Sequence, residues 1–124
     1  MSAHLDPVRR MLGAWEALDL NAILATMTPD VRYHNVPLPL LEGQDSIRTW
    51  CAQFLKDVAS FKVETYAESD SGDGIVFNER ADIIGYANGK TASIRIAGVF
   101  RFRNGLICDW RDYFDLAEFT RQLK

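Results

Sequence analysis

The sequence predicts an α+β domain whose helices pack on one face of a curved, mainly antiparallel sheet. Three observations carry this. Apolar residues recur at helical spacing before Val58, four long strand-like runs follow, and glycine-bearing turns separate those runs. Helices followed by an antiparallel meander place the helices on one side of the sheet. Long strands twist and curl, so a curled sheet closed by helices encloses a deep conical pocket.

The elements follow in chain order. Asp6 is a candidate cap and Pro7 suits the first helical position. Val8, Met11, Leu12, Trp15 and Leu18 then keep helical spacing. A short second helix is expected over Leu20 to Met27, stopped by Pro29. Val31 to Asn35 reads as a strand, and Val36-Pro37-Leu38-Pro39-Leu40-Leu41 as an apolar, proline-stiffened loop, either buried structure or the rim of a pocket. The clearest helix runs from about Gly43 to Val58, with Ile47, Trp50, Cys51, Phe54, Leu55 and Val58 on one stripe. Strands are expected near 60–69, 75–86, 91–103 and 106–114. The turns between them are Asp70-Ser71-Gly72-Asp73-Gly74, Asn88-Gly89 and Asn104-Gly105. A last short helix has Asp115 as cap and Glu118 in the capping-box position.

The bulk properties bound the function. The 124 residues make one domain, with 48% hydrophobic and 25% charged residues, as in an ordinary globular protein. A net charge of −3 gives no reason to expect nucleic acid or an anionic membrane as partner. No apolar run approaches the roughly 20 residues of a membrane span. Met1-Ser2-Ala3-His4-Leu5-Asp6-Pro7 lacks the basic and apolar regions of a signal peptide. Cys51 and Cys108 fit reduced thiols, so a cytoplasmic protein is expected. The two cysteines and two histidines are too scattered to make a metal site.

Polar residues stand where core residues belong. Tyr33 and Asn35 share one face of a strand, Arg80 and Asp82 share one face of another, and Asp112 lies between Trp110 and Phe114. Which way they face depends on the turns. At Asn104-Gly105 a three-residue loop puts Ile94, Ile96, Phe100 and Phe102 on one face with Cys108, Trp110, Asp112 and Phe114. This is the more consistent apolar face. At Asn88-Gly89 two registers remain open. A two-residue loop pairs Asp82 with Arg95 and leaves Arg80 and Asp82 an ordinary solvent-facing pair. A three-residue loop pairs Asp82 with Ile94 and Arg80 with Ile96, and lines Arg80 up with Asp112 across three strands.

With Tyr33-His34-Asn35-Val36-Pro37-Leu38-Pro39, Glu79-Arg80-Ala81-Asp82, Gly98-Val99-Phe100 and Trp110-Arg111-Asp112-Tyr113-Phe114-Asp115 in that order, the chain resembles the limonene-1,2-epoxide hydrolase family. That family lies within the cone-shaped, NTF2-like (SnoaL-like) fold group, which also holds ketosteroid isomerase and the polyketide cyclases. The resemblance covers about Val31 to Phe119 and favours the register with Arg80 and Asp82 in the pocket. It implies Asp112 as general base, Tyr33 and Asn35 as holders of the attacking water, Asp82 as general acid, and Arg80 between the carboxylates. It also implies an apolar cavity lined by Phe54, Ile84, Ile94, Ile96 and Phe114, with Trp110 beside Asp112. The implied reaction is hydrolysis of a compact apolar epoxide to a vicinal diol, without cofactor or metal. A homodimer through the outer sheet face is implied as well, with Ile75, Phe77 and Val99 contributing.

The chemistry is coherent apart from the resemblance. Water is a weak nucleophile and needs a carboxylate to take its proton as it attacks. The leaving oxygen needs a proton at neutral pH, which a carboxyl supplies only if burial and a nearby like charge raise its pKa. Asp112 is therefore expected ionised and Asp82 protonated, the two titrating as a coupled pair. Plainer roles stand beside these. A strand tyrosine is ordinarily a packing residue, Asp115 a cap, and Trp15 and Trp50 core, while Arg95 is an alternative structural partner for Asp112. Two rival functions remain: a ketosteroid-isomerase-like or cyclase-like enzyme that moves a proton on carbon, and a non-catalytic ligand-binding protein.

Overall fold

The computed structural model describes residues 4–124; residues 1–3, part of the stretch read for a leader, lie outside the described residues. Helices α1 (Leu5–Glu16) and α2 (Leu20–Leu24) lead into β1 (Met27–Val36) and the two-residue β2 (Leu41–Glu42). Helix α3 (Gln44–Leu55) is followed by β3 (Val58–Asp70), β4 (Ile75–Tyr86), β5 (Thr91–Arg103), β6 (Leu106–Tyr113) and helix α4 (Leu116–Gln122). The strands form one sheet in the order β2-β1-β6-β5-β4-β3. Every neighbouring pair is antiparallel except β1 and β6, which run parallel. This is the α+β, cone-shaped NTF2-like fold.

The helices begin and end by local chemistry. His4, not Asp6, is the N-cap of α1, and Asp6 lies in the first turn, where its charge meets the positive end of the helix. Helix α2 stops at Leu24, short of the expected Met27. The reason is competition from the sheet: Ile107 N donates to Thr26 O, and Met27 pairs with Ile107 on β6. Strand β1 therefore starts before Pro29, and Pro29 falls where its register shifts between Met27 and Arg32, a position that tolerates a missing donor. Asp19 and Asp115 cap α2 and α4 through Oδ1, each accepting from the backbone N–H three residues on, at 3.0 Å.

Two hairpins decide which way the polar residues of β4 and β6 face. Between β4 and β5, Tyr86 N donates to Lys90 O and Gly89 N to Tyr86 O, closing a three-residue loop with Gly89 at φ 85°. Arg80 thus pairs with Ile96 and Asp82 with Ile94. Between β5 and β6 the loop differs from expectation. It is the two-residue Asn104-Gly105 turn, with both residues at positive φ (53° and 80°) and Arg103 opposite Leu106. A β-bulge follows at once: Phe102 pairs with Ile107, but Arg101 pairs with Asp109. The extra residue restores the expected register, Phe100 to Trp110 and Gly98 to Asp112. The cost falls on Cys108, which is only half-buried, while Ile107 is fully buried in its place.

The core lies between the helices and the concave face, with Val8, Met11, Ile23, Ile47, Val76 and Phe100 essentially sealed from solvent. The convex face carries the exposed aromatics Tyr66, Phe77 and Tyr113, with the Arg95 guanidinium 4.6 Å over the Tyr66 ring. Among the described residues, no helix is long and apolar enough to cross a membrane. The turn makes a direct prediction. Gly105→Val forces a branched side chain into a left-handed backbone and lowers stability by about 1–2 kcal/mol, read as an earlier urea midpoint.

Candidate active site

The three-strand register brings the polar residues together. Arg80 on β4 has no exposed surface, Asp112 on β6 is 2% exposed and Asp82 on β4 is 7% exposed. A charged guanidinium in such a place needs charged partners. Arg80 Nε donates to Asp82 Oδ1 at 3.0 Å. Its Nη1 and Nη2 grip Asp112 end-on, at 3.1 Å to Oδ1 and 2.6 Å to Oδ2. This fork geometry is peculiar to arginine.

Asp112 is held from its other side by an aromatic stack. Trp110 Nε1 donates to Asp112 Oδ1 at 2.7 Å. The indole is fixed by Tyr33, stacked at 4.1 Å and 16°, and by Phe100 at 5.7 Å and 22°. The parallel pairing of β1 with β6 sets Tyr33 beside Trp110 and Asn35 beside Asp112. Tyr33 and Asn35 thereby reach the same cavity wall as the carboxylates.

One cavity, of about 100 Å³, receives all five polar residues. Phe54, Ile84, Ile94, Ile96, Trp110 and Phe114, the apolar residues expected to line it, do so. Trp15 and Trp50, expected in the core, belong to its wall as well. The reason is that helices α1 and α3 roof the cavity rather than only filling the core. Leu12, Phe61 and Phe119 complete the lining with no signal in the sequence beyond hydrophobicity, together with Leu38 of the proline-stiffened loop that the sequence offered as a pocket rim.

The surroundings act strongly on Asp82. Burial pushes Asp82 up from 3.8 to about 6, Arg80 pulls it back and the Asp112 charge adds to the rise. Burial works against the charge of Arg80, but Asp112 and Asp82 outweigh it and hold the guanidinium protonated. Burial, with the Asp112 charge, holds the Tyr33 phenol well above its ordinary value, so it stays a donor. Among the described residues, no group of three or more His, Cys, Asp or Glu is placed to hold a metal. The cation between the carboxylates is Arg80 itself.

Two members of the site had no role assigned from the sequence: Asn78, and Gly98, which entered only within the piece Gly98-Val99-Phe100. Asn78, 6% exposed, accepts from Arg80 Nη1 through Oδ1 at 3.0 Å. It continues the alternation Asn78, Arg80, Asp82 along one face of β4, the only pattern that pointed to it. Gly98 pairs with both Asn78 and Asp112. A Cβ at Gly98 would stand 2.5 Å from Asn78 Oδ1 and 2.7 Å from Arg80 Nη1, so a residue without a side chain is what lets the guanidinium lie there.

The raised Asp82 has a signed consequence. Between about pH 4 and pH 6 the folded chain keeps a proton that the unfolded chain gives up. Stability from this group is present below the unfolded value and is lost as pH rises through about 6, by roughly 3 kcal/mol in all. Asp82→Asn therefore gains stability relative to the wild type as pH goes from 4 to 7, which paired urea titrations read. Carboxyl-carbon NMR should place the Asp82 midpoint near 6.

Comparison with known proteins agrees with this architecture. Residues 8–110 match the SnoaL-like domain family. The chain is similar in structure to an M. tuberculosis LEH-like epoxide hydrolase, at 26% identity and TM-score 0.84, covering 98% of this chain and 89% of that one. It is similar to an NTF2-like protein of unknown function from Burkholderia pseudomallei, at 24% identity and TM-score 0.88, covering 100% and 99%. A putative polyketide cyclase from Xanthomonas campestris shares the fold at 19% identity and TM-score 0.82, covering 98% and 97%. With most of its length matched and the cone and its buried polar wall in place, the chain belongs to the SnoaL-like domain family.

Proposed function

We propose that this protein hydrolyses a small, largely apolar epoxide to a vicinal diol, in one step, by general acid and base catalysis without a metal or cofactor. The observation that carries the reading is the pair of buried carboxyls bridged by one arginine at the wall of an apolar cavity, with Asp82 raised to about 6. The similarity to an LEH-like epoxide hydrolase supports it.

The hydrogen bonds assign the oxygens. A carboxylate oxygen has two lone pairs. Both of those on Asp112 Oδ1 are taken, by Trp110 Nε1 and Arg80 Nη1, whereas among the described residues Oδ2 accepts only from Arg80 Nη2. Oδ2 is the oxygen free to take a proton from water. Tyr33 and Asn35, beside it on β1, hold that water and remove part of the entropic cost of attack. On Asp82, Oδ1 accepts from Arg80 Nε, which leaves Oδ2 to carry the acidic proton.

The step then balances. Water oxygen bonds to an epoxide carbon and gives one proton to Asp112 Oδ2. The carbon–oxygen bond breaks, and the leaving oxygen takes the proton of Asp82. One proton has moved from Asp82 to Asp112 across the Arg80 bridge, and returning it completes the cycle. The aromatic and aliphatic wall excludes other water and strengthens every charge interaction within.

Hydrolysis of limonene oxide and cyclohexene oxide tests the proposal. Asp112→Asn and Asp82→Asn, each checked for folding, should lose at least about 100-fold in kcat. In 18O-labelled water a single turnover should place the label in the diol and none in the protein. The kcat/KM profile should fall roughly tenfold per pH unit above about 6, as Asp82 loses its proton. No turnover of either epoxide would shift the reading to proton transfer on carbon, for which Asp112 Oδ2 is equally placed as a base.

A further inference from the structure

The guanidinium of Arg80 is held on three sides, and only two of the three partners are charged. Nε on one flank meets Asp82, the two terminal nitrogens meet Asp112 end-on, and Nη1 on the other flank meets the amide oxygen of Asn78. Asn78 does not itself line the cavity and, among the described residues, makes no side-chain hydrogen bond except that with Arg80. Its Nδ2 is buried with no partner. A buried amide that leaves a donor unpaired is costly, and an aliphatic side chain of the same shape would avoid that cost. The site also gives up a side chain on the neighbouring strand, at Gly98, where a Cβ would strike both ends of this contact.

We propose that Asn78 is a positioning residue, which with the space left by Gly98 anchors the free flank of Arg80 and so holds the guanidinium square to Asp112 and limits its grip on Asp82 to the one Nε hydrogen bond. Without the anchor, the only partners left to the guanidinium are the two carboxylates. It pivots about its Asp112 end toward Asp82, and the neutral form of Asp82 loses ground to the charged one. Asn78 acts on the acid through Arg80, without contact with substrate. A neutral acceptor suits the position because it holds the cation without adding a third negative charge to a sealed cluster.

The charged groups that act on Asp82 are Arg80 on its own strand, Asp112 from β6 and Glu16 from α1. Its partners on β5 and β3 are the apolar Ile94 and Val63. A change in its titration when Asn78 is replaced by a neutral residue therefore reports on Arg80.

The test is the Asp82 carboxyl-carbon NMR midpoint in Asn78→Leu, which keeps the shape and removes the acceptor, and in Asn78→Asp, which keeps an acceptor and adds charge. The midpoint should fall by about half a unit or more in the first and rise in the second. Gly98→Ala, which attacks the same contact from β5, should also move it, and provides the test if Asn78→Leu does not fold. A wild-type midpoint in folded Asn78→Leu, or in Gly98→Ala, overturns the proposal, since a merely structural amide would lower the melting temperature and leave the titration alone. The titration needs no substrate, so it stands apart from the epoxide reading. Where epoxide turnover is present, Asn78→Leu should lower kcat about tenfold or more with KM little changed.

Discussion

Everything at the heart of this protein is arranged around one buried positive charge. Arg80 has no contact with solvent, and an isolated ion in that position would be intolerable. Two carboxylates answer it, which overshoots: with both ionised the cluster carries a net negative charge in an apolar chamber. One proton makes it neutral. The upward shift of Asp82 is this constraint seen from the side of the acid. Asp112 is gripped by both ends of the guanidinium and by Trp110. The same arrangement that keeps the core from carrying excess charge leaves both carboxyls facing a common space.

That arrangement depends on strand register. Arg80 and Asp112 belong to strands separated by β5, and they meet because β5 places Gly98 between them. A one-residue slip in either hairpin would turn one of them to the convex face. Two different devices hold the register. The β4–β5 hairpin uses a three-residue loop, and the β5–β6 hairpin uses a tight turn corrected by a bulge. The stack of Tyr33, Trp110 and Phe100 then ties β1, β6 and β5 into one rigid wall.

Much of this was legible in the sequence, for identifiable reasons. The four long strands alternate plainly and glycines punctuate them, so the α+β class and the meander could be read directly. The facing of Arg80 and Asp82 could not, because Ile75, Phe77, Ala81 and Ile83 offer the opposite face of β4 a rival apolar set. Resemblance, not hydropathy, favoured the pocket. The bulge was hidden because Asn104-Gly105 is a strong two-residue turn signal, and a single extra residue after it leaves no mark in composition. Trp15 is core as expected and Trp50 packs against that core, but that both also roof a cavity could not be read, because a roof and a filled interior have the same helical pattern. Asn78 escaped notice because its partner lies on its own strand, two residues away.

The parallel pairing of β1 with β6 has a consequence for the order in which the molecule takes shape. Asn35 meets Asp112, and Tyr33 meets Trp110, only after nearly the whole chain between them has been laid down. The meander of β3 to β6 can form by successive local closures, whereas docking β1 against β6 must close a long loop before it gains any contact. The polar wall is thus completed by a late, long-range event. A chain interrupted before β6 would hold Arg80 without its end-on partner, whereas the complete meander already joins Arg80 to Asp112, so the late docking of β1 adds the neutral Tyr33 and Asn35 to a charge cluster that is electrically whole without them.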